Sequence, residues 1–462
     1  MSDGIRLRDT LSGDVRPLEP LEPGHVRIYS CGPTVYGPTH IGNFRSFLFA
    51  DLLVRHLRHR GLRVTWVMNI TDIDDKIIRG AAAEGVSTVE LAERWTARFL
   101  LDADALGMTR PDVVPQATGH IPQITSLVAT LIERGHAYRT EDGSVFFRIA
   151  SWPAYGVLAK LDPEAMRVGE RVEADEYAKE EVRDFAVWKG PKPGEPSWST
   201  EIGEGRPGWH IECSAMSMAH LGESFDIHTG GIDLIFPHHE NEIAQSTAGK
   251  TDPAYARVFV HNEHILVDGK KMSKSLGNFY TLKDIVDKGY DPLAFRLLAL
   301  QSHYRSQAHF SFDNLEAAQN RLKALRNIAE LRHQVADRAD DAQQTFIDQS
   351  TRQIQDEIAN DLNTPAVLET IALAADEFER NGVTSAATEH FNKWLQTIDN
   401  LLGLQLLDST PDISPEQKHL IADRESARQA KDWDKADRLR KQLEDRGIGL
   451  RDTPNGAVWF RS

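Results

Sequence analysis

The stretch from Cys31 to Asn43 constrains the fold of this chain more than any other. Glycine and proline punctuate it, and a short β-branched and aromatic run, Val26 to Ser30, precedes it. Apolar residues at helical spacing follow from Phe44 to Arg60. The sequence therefore predicts a strand, a tight turn and a helix whose N-terminus lies beside the turn. Such a terminus suits a phosphate, and because the stretch lacks the GxxxxGK[ST] and GxGxxG patterns, an ordinary P-loop or dinucleotide-binding turn is excluded.

A second stretch, Lys271 to Ser275, strengthens the prediction of a phosphate site. It reads Lys-Met-Ser-Lys-Ser and lies between Gly269 and Gly277. Two lysines three positions apart, with small hydroxyl residues, predict a mobile cationic loop that closes on a triphosphate and stabilises the leaving pyrophosphate. A solvated surface loop is the plainer alternative for such a run.

In this order and this far apart, the two stretches resemble the HIGH and KMSKS signatures of class I aminoacyl-tRNA synthetases. The first reads HIGN here, with asparagine in place of the final histidine. The resemblance implies that His40, Gly42 and Asn43 bind ATP and that His40 and Asn43 stabilise the adenylation transition state. It also implies that Lys271 and Lys274 act on the pyrophosphate, with Lys274 in addition binding ATP. Asparagine can still donate a hydrogen bond, so we expect activity, while the contact made by Asn43 stays open.

A second buried strand is predicted from Leu62 to Ile70, and an acidic cluster follows it from Thr71 to Asp75. Strand, helix and strand within about forty residues predict a parallel βαβ unit, whose ligands lie beyond the carboxyl ends of the strands. The cluster therefore lies beside the same crevice as Cys31. It fits a Mg²⁺ site, a binder of ribose or ammonium, or a helix N-cap formed by Thr71 or Asp72.

The chain has two cysteines, Cys31 and Cys213, and both fall in its motif-bearing part. His238 and Glu242 lie four positions apart on a helix predicted to begin near Pro237. Two thiolates, an imidazole and a carboxylate suit Zn²⁺, and their wide separation in sequence favours an active-site cleft over a zinc finger. Metal-free buried cysteines are the alternative. Four further side chains are rival ligands: His210, His228, His239 and Glu240.

Longer motifs resemble cysteinyl-tRNA synthetases over nearly the whole chain. They are Cys31 to Tyr36, Asn69 to Lys76, Gly208 to Met216 and Phe236 to Glu242, and, at the anticodon-binding end, Ala430 to Asp437 and Asp452 to Pro454. The resemblance implies one Zn²⁺ ion per chain, held by Cys31, Cys213, His238 and Glu242. It also implies that Trp209 packs against the substrate side chain and that Thr71 or Asp233 holds the substrate amino group.

The implied activity is that of a cysteine–tRNA ligase. The enzyme activates L-cysteine with ATP to cysteinyl-adenylate and pyrophosphate, then transfers cysteine to the 3′ end of tRNA(Cys). An apolar pocket separates near-isosteres such as cysteine and serine by only about 10–200-fold. Zinc binds a thiolate much better than a hydroxyl and lowers the pKa of the thiol, so we expect the metal to provide specificity.

We expect an α/β fold in several domains, because 462 residues exceed one hydrophobic core. It consists of a Rossmann-like parallel-sheet nucleotide-binding domain with an α+β insertion, then a C-terminal helical bundle and a small anticodon-binding domain. The two halves of the catalytic domain are predicted at 1–120 and 202–252, with the connective insertion at 121–201 between them. A stem-contact region follows at 253–312 and contains the cationic loop Lys271 to Ser275, called here the lysine loop. The bundle is predicted at 313–405 and the anticodon-binding domain at 406–462.

Composition favours a soluble cytoplasmic protein. Hydrophobic residues make up 40% and charged residues 26%, and we see neither an apolar signal segment nor a membrane span. Two cysteines make no disulfide framework.

The net charge of −16 argues against general nucleic-acid affinity. Residues 416–462 hold 11 Lys and Arg against 9 Asp and Glu, a net charge of +2, which leaves −18 for the rest of the chain. The tail is therefore the better candidate for contacting tRNA. Family resemblance favours a monomer, with Mg²⁺ carried on ATP.

Two other functions compete with this one. A ligase that joins cysteine to a small-molecule amine, as in the mycothiol pathway, shares the zinc site and both ATP motifs but is expected to lack the tail that runs here from Ser409 to Ser462. A catalytically silent tRNA-binding paralogue is disfavoured because His40, Lys271 and Lys274 are all present.

Overall fold

The structure is a computed structural model that describes residues 4–161, 167–168, 181–249, 255–267, 269–272, 277–337, 341–453 and 456–461, with the backbone alone at 167–168, 181–182 and 271. Lys274 thus lies outside the described residues. The chain divides into two compact units. The first comprises Met1–Pro292, Ser302–Phe310 and Asn360–Leu362, and the second comprises Leu293–Gln301, Ser311–Ala359 and Asn363–Ser462. The finer division into six segments stays a prediction.

Eighteen strands are described. In chain order they are β1 Arg6–Arg8, β2 Val15–Pro17, β3 His25–Ser30, β4 Arg63–Met68, β5 Ala137–Arg139, β6 Val145–Phe147, β7 Arg167–Val168, β8 Glu181–Val182, β9 Phe185–Lys189, β10 Trp198–Thr200, β11 Gly203–Pro207, β12 Phe225–Gly231, β13 Ala256–Asn262, β14 Ile265–Val267, β15 Lys270–Lys271, β16 Ala308–Phe310, β17 Ile448–Thr453 and β18 Gly456–Arg461.

Fifteen α-helices are described, together with several short 3₁₀ turns. In chain order they are α1 Ile41–His59, α2 Asp75–Glu84, α3 Thr88–Ala105, α4 Ile121–Glu133, α5 Trp209–Leu221, α6 Glu240–Ala248, α7 Leu282–Asp287, α8 Pro292–Leu300, α9 Phe312–Glu330, α10 Asp341–Ala359, α11 Thr364–Asn381, α12 Thr388–Leu402, α13 Leu406–Ser409, α14 Pro415–Gln429 and α15 Trp433–Glu444. Among the described residues, no helix combines the length and apolar character needed to cross a membrane.

A four-stranded parallel sheet organises the first unit. Its strand order is β13-β12-β3-β4, and β3, α1 and β4 form the predicted βαβ unit. The chain proceeds from β3 to β4 on one side, whereas β12 lies on the other side, so the strand order switches at β3. In parallel sheets ligands bind beyond the carboxyl ends of the strands at such a switch point. The residues after Ser30 and after Gly231 are therefore placed at the binding crevice.

The predicted α+β insertion is confirmed. An antiparallel sheet of order β10-β11-β9-β6-β5 packs against α4. Their shared core contains buried Val128, Leu131, Phe147, Phe185 and Trp188. Strand β11 ends at Pro207, directly before α5, so the insertion leads the chain back to the crevice.

Apolar spacing in the sequence predicts one helix over residues 279–300 and another over 418–446, and the structure interrupts each of them. The segment 279–300 forms α7 and α8, because Thr281 and Asp284 make a capping box that starts α7 and Gly289, with φ +85°, follows its end. The segment 418–446 forms α14 and α15, since Lys431 adopts φ +60° and the side chain of Asp432 caps α15.

The second unit contains the predicted helical bundle and a small C-terminal domain. Rings of Phe378, Phe391 and Trp394 form the aromatic core of the bundle, with centroids 4.8–5.8 Å apart. Helices α14 and α15 pack together and are followed by the β17–β18 hairpin. The backbone of Trp459 in that hairpin is held by the side-chain amide of Gln334.

Candidate active site and metal centre

The N-terminus of α1 forms one end of the crevice. His40 is the N-cap residue, and its Nδ1 accepts a hydrogen bond from the backbone N–H of Asn43 at 3.2 Å. The first turn of α1 carries no acidic residue, so nothing there cancels the positive end of the helix dipole. This end of the crevice therefore suits an anion.

The chain around the lysine loop lies against this helix terminus. A Cβ atom at Gly42 would lie 2.5 Å from Cε of Met272 and 2.9 Å from Nδ1 of His40, so both side chains pack directly against this glycine. The ring of Phe279 meets His40 edge-on at 5.1 Å, and the backbone N–H of Ile41 donates to the carbonyl of Tyr280 at 2.9 Å. Both flanks of the loop are thus brought to His40 and Gly42.

The crevice itself is a cleft of about 240 Å³. Most of the predicted site residues whose side chains the structure describes line it: Cys31, His40, Asn43, Trp209 and Asp233. Thr71 lies buried at its edge, where its segment pairs with Thr34 and its hydroxyl accepts from Nδ2 of Asn69 at 3.2 Å. The structure therefore places residues from four separate segments around one small volume.

Close backbone packing positions Cys31. A Cβ atom at Gly32 would lie 1.7 Å from the carbonyl oxygen of Asn69, so only glycine fits where the turn passes that strand end. The Asn69 side chain accepts from the Gly32 N–H at 2.9 Å. Asn69 thereby ties the turn after β3 to the end of β4.

Cys31 lines the crevice, and three buried side chains converge on it there: Cys213, His238 and Glu242. Their potential ligand atoms all lie within 4.8 Å of one another. The two Sγ atoms are 3.9 Å apart, and Oε1 of Glu242 lies 3.7 Å from Sγ of Cys31 and 3.1 Å from Nε2 of His238. Tetrahedral zinc with bonds of about 2.3 Å to sulfur separates two sulfurs by about 3.8 Å. The donor set and its spacing therefore fit a zinc ion.

Further buried groups orient these side chains. The second carboxylate oxygen of Glu242 accepts from Nε2 of His228 at 2.9 Å and from the hydroxyl of Tyr255 at 2.8 Å. Nδ1 of His238 lies 2.9 Å from Nδ1 of His210, which leaves Nε2 directed at Glu242. Such outer partners fix the orientation and tautomer of metal ligands.

A second donor set overlaps the first. Cys31, His228, His239 and Glu242 also place their ligand atoms within 4.8 Å of one another. It offers one thiol instead of two, and His228 and Glu242 are at hydrogen-bonding distance. The first set leaves His228 free to orient Glu242, so the geometry favours it. The carboxylate of Glu240 has another role, because it accepts from the backbone N–H groups of Gly156, Leu158 and Ala159.

Electrostatics at the cysteine cluster favour a bound cation. Burial, together with Cys213 and Glu242, raises the pKa of Cys31 well above its ordinary value. Burial lowers the pKa of His238 to about 3, so its imidazole is neutral, the form that binds metals. Burial opposes ionisation of Glu242, but His228 and His238 outweigh it and lower the pKa of that carboxyl. A divalent cation would favour the thiolates that burial alone opposes.

The acidic cluster after β4 has partners within the protein. Asp74, rather than Thr71 or Asp72, is the N-cap of α2, and its carboxylate accepts from the N–H of Lys76 at 2.6 Å. Asp72 accepts from the N–H and hydroxyl of Thr118. Asp75 is paired with Lys189 and Arg206. The prediction of an N-cap at Thr71 or Asp72 is thus wrong: α2 begins at Asp75, so its N-cap, Asp74, lies two to three residues later than the positions predicted.

Sequence reasoning did not single out two residues of the site. Tyr255, which follows an undescribed segment and precedes β13, orients Glu242 and carries no motif signal. Lys76 lines the cleft, with Nζ 5.6 Å from the centroid of the Tyr36 ring. Lys76 ends the motif that began at Asn69, and its place directly after the acidic cluster was the available signal.

Comparison with known proteins identifies the class of protein. Residues 17–320 match the family model of the class I (C) tRNA synthetase catalytic domain, and residues 410–461 match the model of the cysteinyl-tRNA ligase anticodon-binding domain. A methionyl-tRNA synthetase of Mycobacterium tuberculosis in complex with methionyl-adenylate shares the fold, with a TM-score of 0.60 at 15% identity over 85% of this chain and 95% of that chain. These matches define a class I tRNA synthetase fold with an anticodon-binding domain.

Full-length relatives narrow the identification to a family. Proteins named cysteine–tRNA ligase from Koribacter versatilis and Solibacter usitatus are 41% and 43% identical, each over 99% of this chain and 99% of its own length. A third, from Symbiobacterium thermophilum, is 43% identical over 99% of this chain and all of its own length. The chain belongs to the cysteine–tRNA ligase family of aminoacyl-tRNA synthetases.

Proposed function

We propose that this protein activates L-cysteine with ATP, forming cysteinyl-adenylate and pyrophosphate, and then transfers cysteine to the 3′ end of tRNA(Cys). One observation supports it above all: two thiols, an imidazole and a carboxylate converge at one end of a cleft whose other end is a helix N-terminus suited to phosphate. A sulfur-bearing amino acid and a nucleotide therefore fit the same small volume.

Cys31, Cys213, His238 and Glu242 hold one zinc ion in this proposal. When bound, the ion supplies a centre that prefers a thiolate to a hydroxyl, which gives selection against serine. His228 and Tyr255 orient Glu242 from behind. Trp209 closes one side, because its ring packs against that of His238 with centroids 4.2 Å apart.

The remaining residues handle the amino group and the nucleotide. Thr71 or Asp233 holds the ammonium group of the substrate, which leaves its carboxylate pointing toward the helix terminus. Gly42 gives the nucleotide access to the backbone, and His40 and Asn43 donate hydrogen bonds to ATP phosphates and stabilise the charge that develops during adenylation. Lys271 and Lys274 neutralise the departing pyrophosphate, and Mg²⁺ enters on ATP. We further propose that residues 410–461 contact the anticodon of tRNA(Cys) and that the protein is a cytoplasmic monomer.

Cysteine-dependent and serine-dependent ATP–pyrophosphate exchange, measured beside the zinc content of the same preparation, test this proposal. We expect one zinc per chain in the buried cluster and exchange with cysteine only. Comparable exchange with serine, or full activity in a preparation whose cluster is metal-free, would contradict it.

Charging of tRNA separates the two competing functions. A ligase for a small amine would show cysteine-dependent exchange without charging of tRNA(Cys), and a silent paralogue would show neither. We expect both reactions, because the residues 410–461 that match the anticodon-binding model are present together with the adenylation motifs.

A further inference from the structure

Two histidines outside the cleft meet at the surface of the first unit. His120 ends the 3₁₀ turn Ala117–His120 before α4, and His220 lies in the last turn of α5. Their Nε2 atoms are 2.9 Å apart. His220 is exposed and His120 is half-buried, so the pair is accessible from solvent.

The backbone fixes the tautomer of His120. Its Nδ1 lies 2.7 Å from the carbonyl oxygen of Gln116, which can only accept, so Nδ1 carries the proton. The lone pair of Nε2 therefore points at His220. An imidazole whose other N–H donates to a backbone carbonyl is the usual arrangement of a metal-bound histidine.

The spacing of the two nitrogens fits a single ion. Bonds of about 2.0–2.1 Å from both Nε2 atoms to one ion, at a separation of 2.9 Å, give an angle of about 90° at the metal. Burial and the neighbouring His120 lower the pKa of His220, so its ring is neutral at neutral pH. Imidazole suits Zn²⁺, Cu²⁺ and Ni²⁺, and water completes the coordination at an exposed site.

We propose that His120 and His220 form a second, surface site for a divalent transition metal, separate from the buried cysteine cluster. This inference does not depend on the proposed function, because neither histidine lines the cleft. It implies that zinc analysis of the untreated protein gives up to two ions per chain.

The position of the site links it to the walls of the cleft. Two residues before His120, Thr118 donates from its N–H and its hydroxyl to Asp72 of the loop between β4 and α2. His220 is on the helix that begins with Trp209 and carries Cys213. A metal ion bound by both imidazoles would fasten these two segments to each other and raise the thermal stability of the protein.

Zinc titration of the full chain by calorimetry tests the site. The chain is first dialysed against a mild chelator, which strips exposed sites, and its residual zinc is measured. The variants are His120→Gln, His220→Gln and the double variant, since glutamine preserves bulk and hydrogen bonding. His419→Gln, at an exposed histidine on α14, is the matched control.

We expect the wild type and His419→Gln to bind one further equivalent of Zn²⁺, and each single variant to bind it at least tenfold more weakly. The double variant should fail to bind the further equivalent of Zn²⁺ while keeping its residual zinc. Added Zn²⁺ should raise the melting temperature of the wild type and leave that of the double variant unchanged. Equal zinc binding by wild type and double variant overturns the proposal, as does the absence of a further equivalent in the wild type. A loss of the same size in His419→Gln also overturns it.

Discussion

The two ends of the cleft are built in opposite ways. At the cysteine end, Cys213, His238 and Glu242 are almost fully buried, and the imidazole and the carboxylate each have a second partner behind them. At the end formed by the N-terminus of α1, His40 is half-buried and Asn43 is exposed, and backbone groups hold them. In the proposed function this difference has a purpose: the preorganised buried cluster discriminates between near-isosteric substrates, and the open helix terminus receives a large, hydrated and mobile triphosphate.

The largest effect is expected from Cys213→Ser at the buried end. The hydroxyl replaces a thiolate ligand, so the chain should lose the ion of the cluster and its affinity for cysteine should fall by a factor on the order of 10³. Zinc analysis and cysteine-dependent exchange check this. Met218→Leu, a change of similar size elsewhere on α5, should leave both unchanged. Retained zinc and normal exchange in Cys213→Ser would show that Cys213 is not a ligand of the metal ion.

A smaller effect is expected from His40 at the open end. His40→Ala and His40→Asn should both slow exchange by about 10²–10³-fold with little change in the KM for cysteine, because the imidazole is lost from the phosphate site. His40→Asn keeps a side chain that caps α1, so only His40→Ala should also lose about 1 kcal/mol of stability. Wild-type exchange by His40→Asn would exclude a catalytic contact of the imidazole.

Tyr255→Phe tests whether the outer partners matter at the buried end. Loss of the hydroxyl removes one of two hydrogen bonds to Oε2 of Glu242, and we expect zinc affinity to fall by about 10–100-fold. Competition with a chromogenic chelator measures it. Tyr138→Phe, which removes a tyrosine hydroxyl bonded to Asp184 in the insertion, is the control. Equal affinities in the two variants would show that Oε2 needs no support from Tyr255.

The smallest effect is expected in the second unit, at Asp452. Hydrogen bonds from Arg424 and Arg428 lower the pKa of this carboxyl to about 2, although burial opposes the shift. Because the pKa is lower in the folded state, the ionised carboxylate stabilises the fold at pH values above the unfolded pKa of about 3.9. This stabilisation is lost as the pH falls through the folded pKa of about 2. Because Asp452 is exposed, Asp452→Asn should cost only about 1 kcal/mol at pH 7, and most of this cost should be gone near pH 2. Denaturant unfolding at both pH values checks this, with Asp423→Asn on α14 as the control. A cost that persists at pH 2 would contradict an ionic origin.

The sequence by itself determined the βαβ unit, the position of the turn between β3 and α1, and the residue types of the candidate metal ligands. Hydrophobic periodicity and turn residues are local signals, so β3, α1 and β4 were predicted to within a few residues. The same signals missed two helix breaks, near Gly289 and at Lys431. These breaks depend on left-handed backbone conformations and on capping residues, which apolar spacing does not reveal.

Only the tertiary structure decided which groups meet. Cys31 and Cys213 come together because β12 pairs beside β3 and α5 packs behind them, a long-range event that leaves no trace in spacing. For the same reason three features appear only in the fold: the two overlapping donor sets around Cys31 and Glu242, the support of Glu242 by Tyr255, and the meeting of His120 with His220 across a hundred residues. Residue types determine what chemistry is available, and packing determines which distant side chains share it.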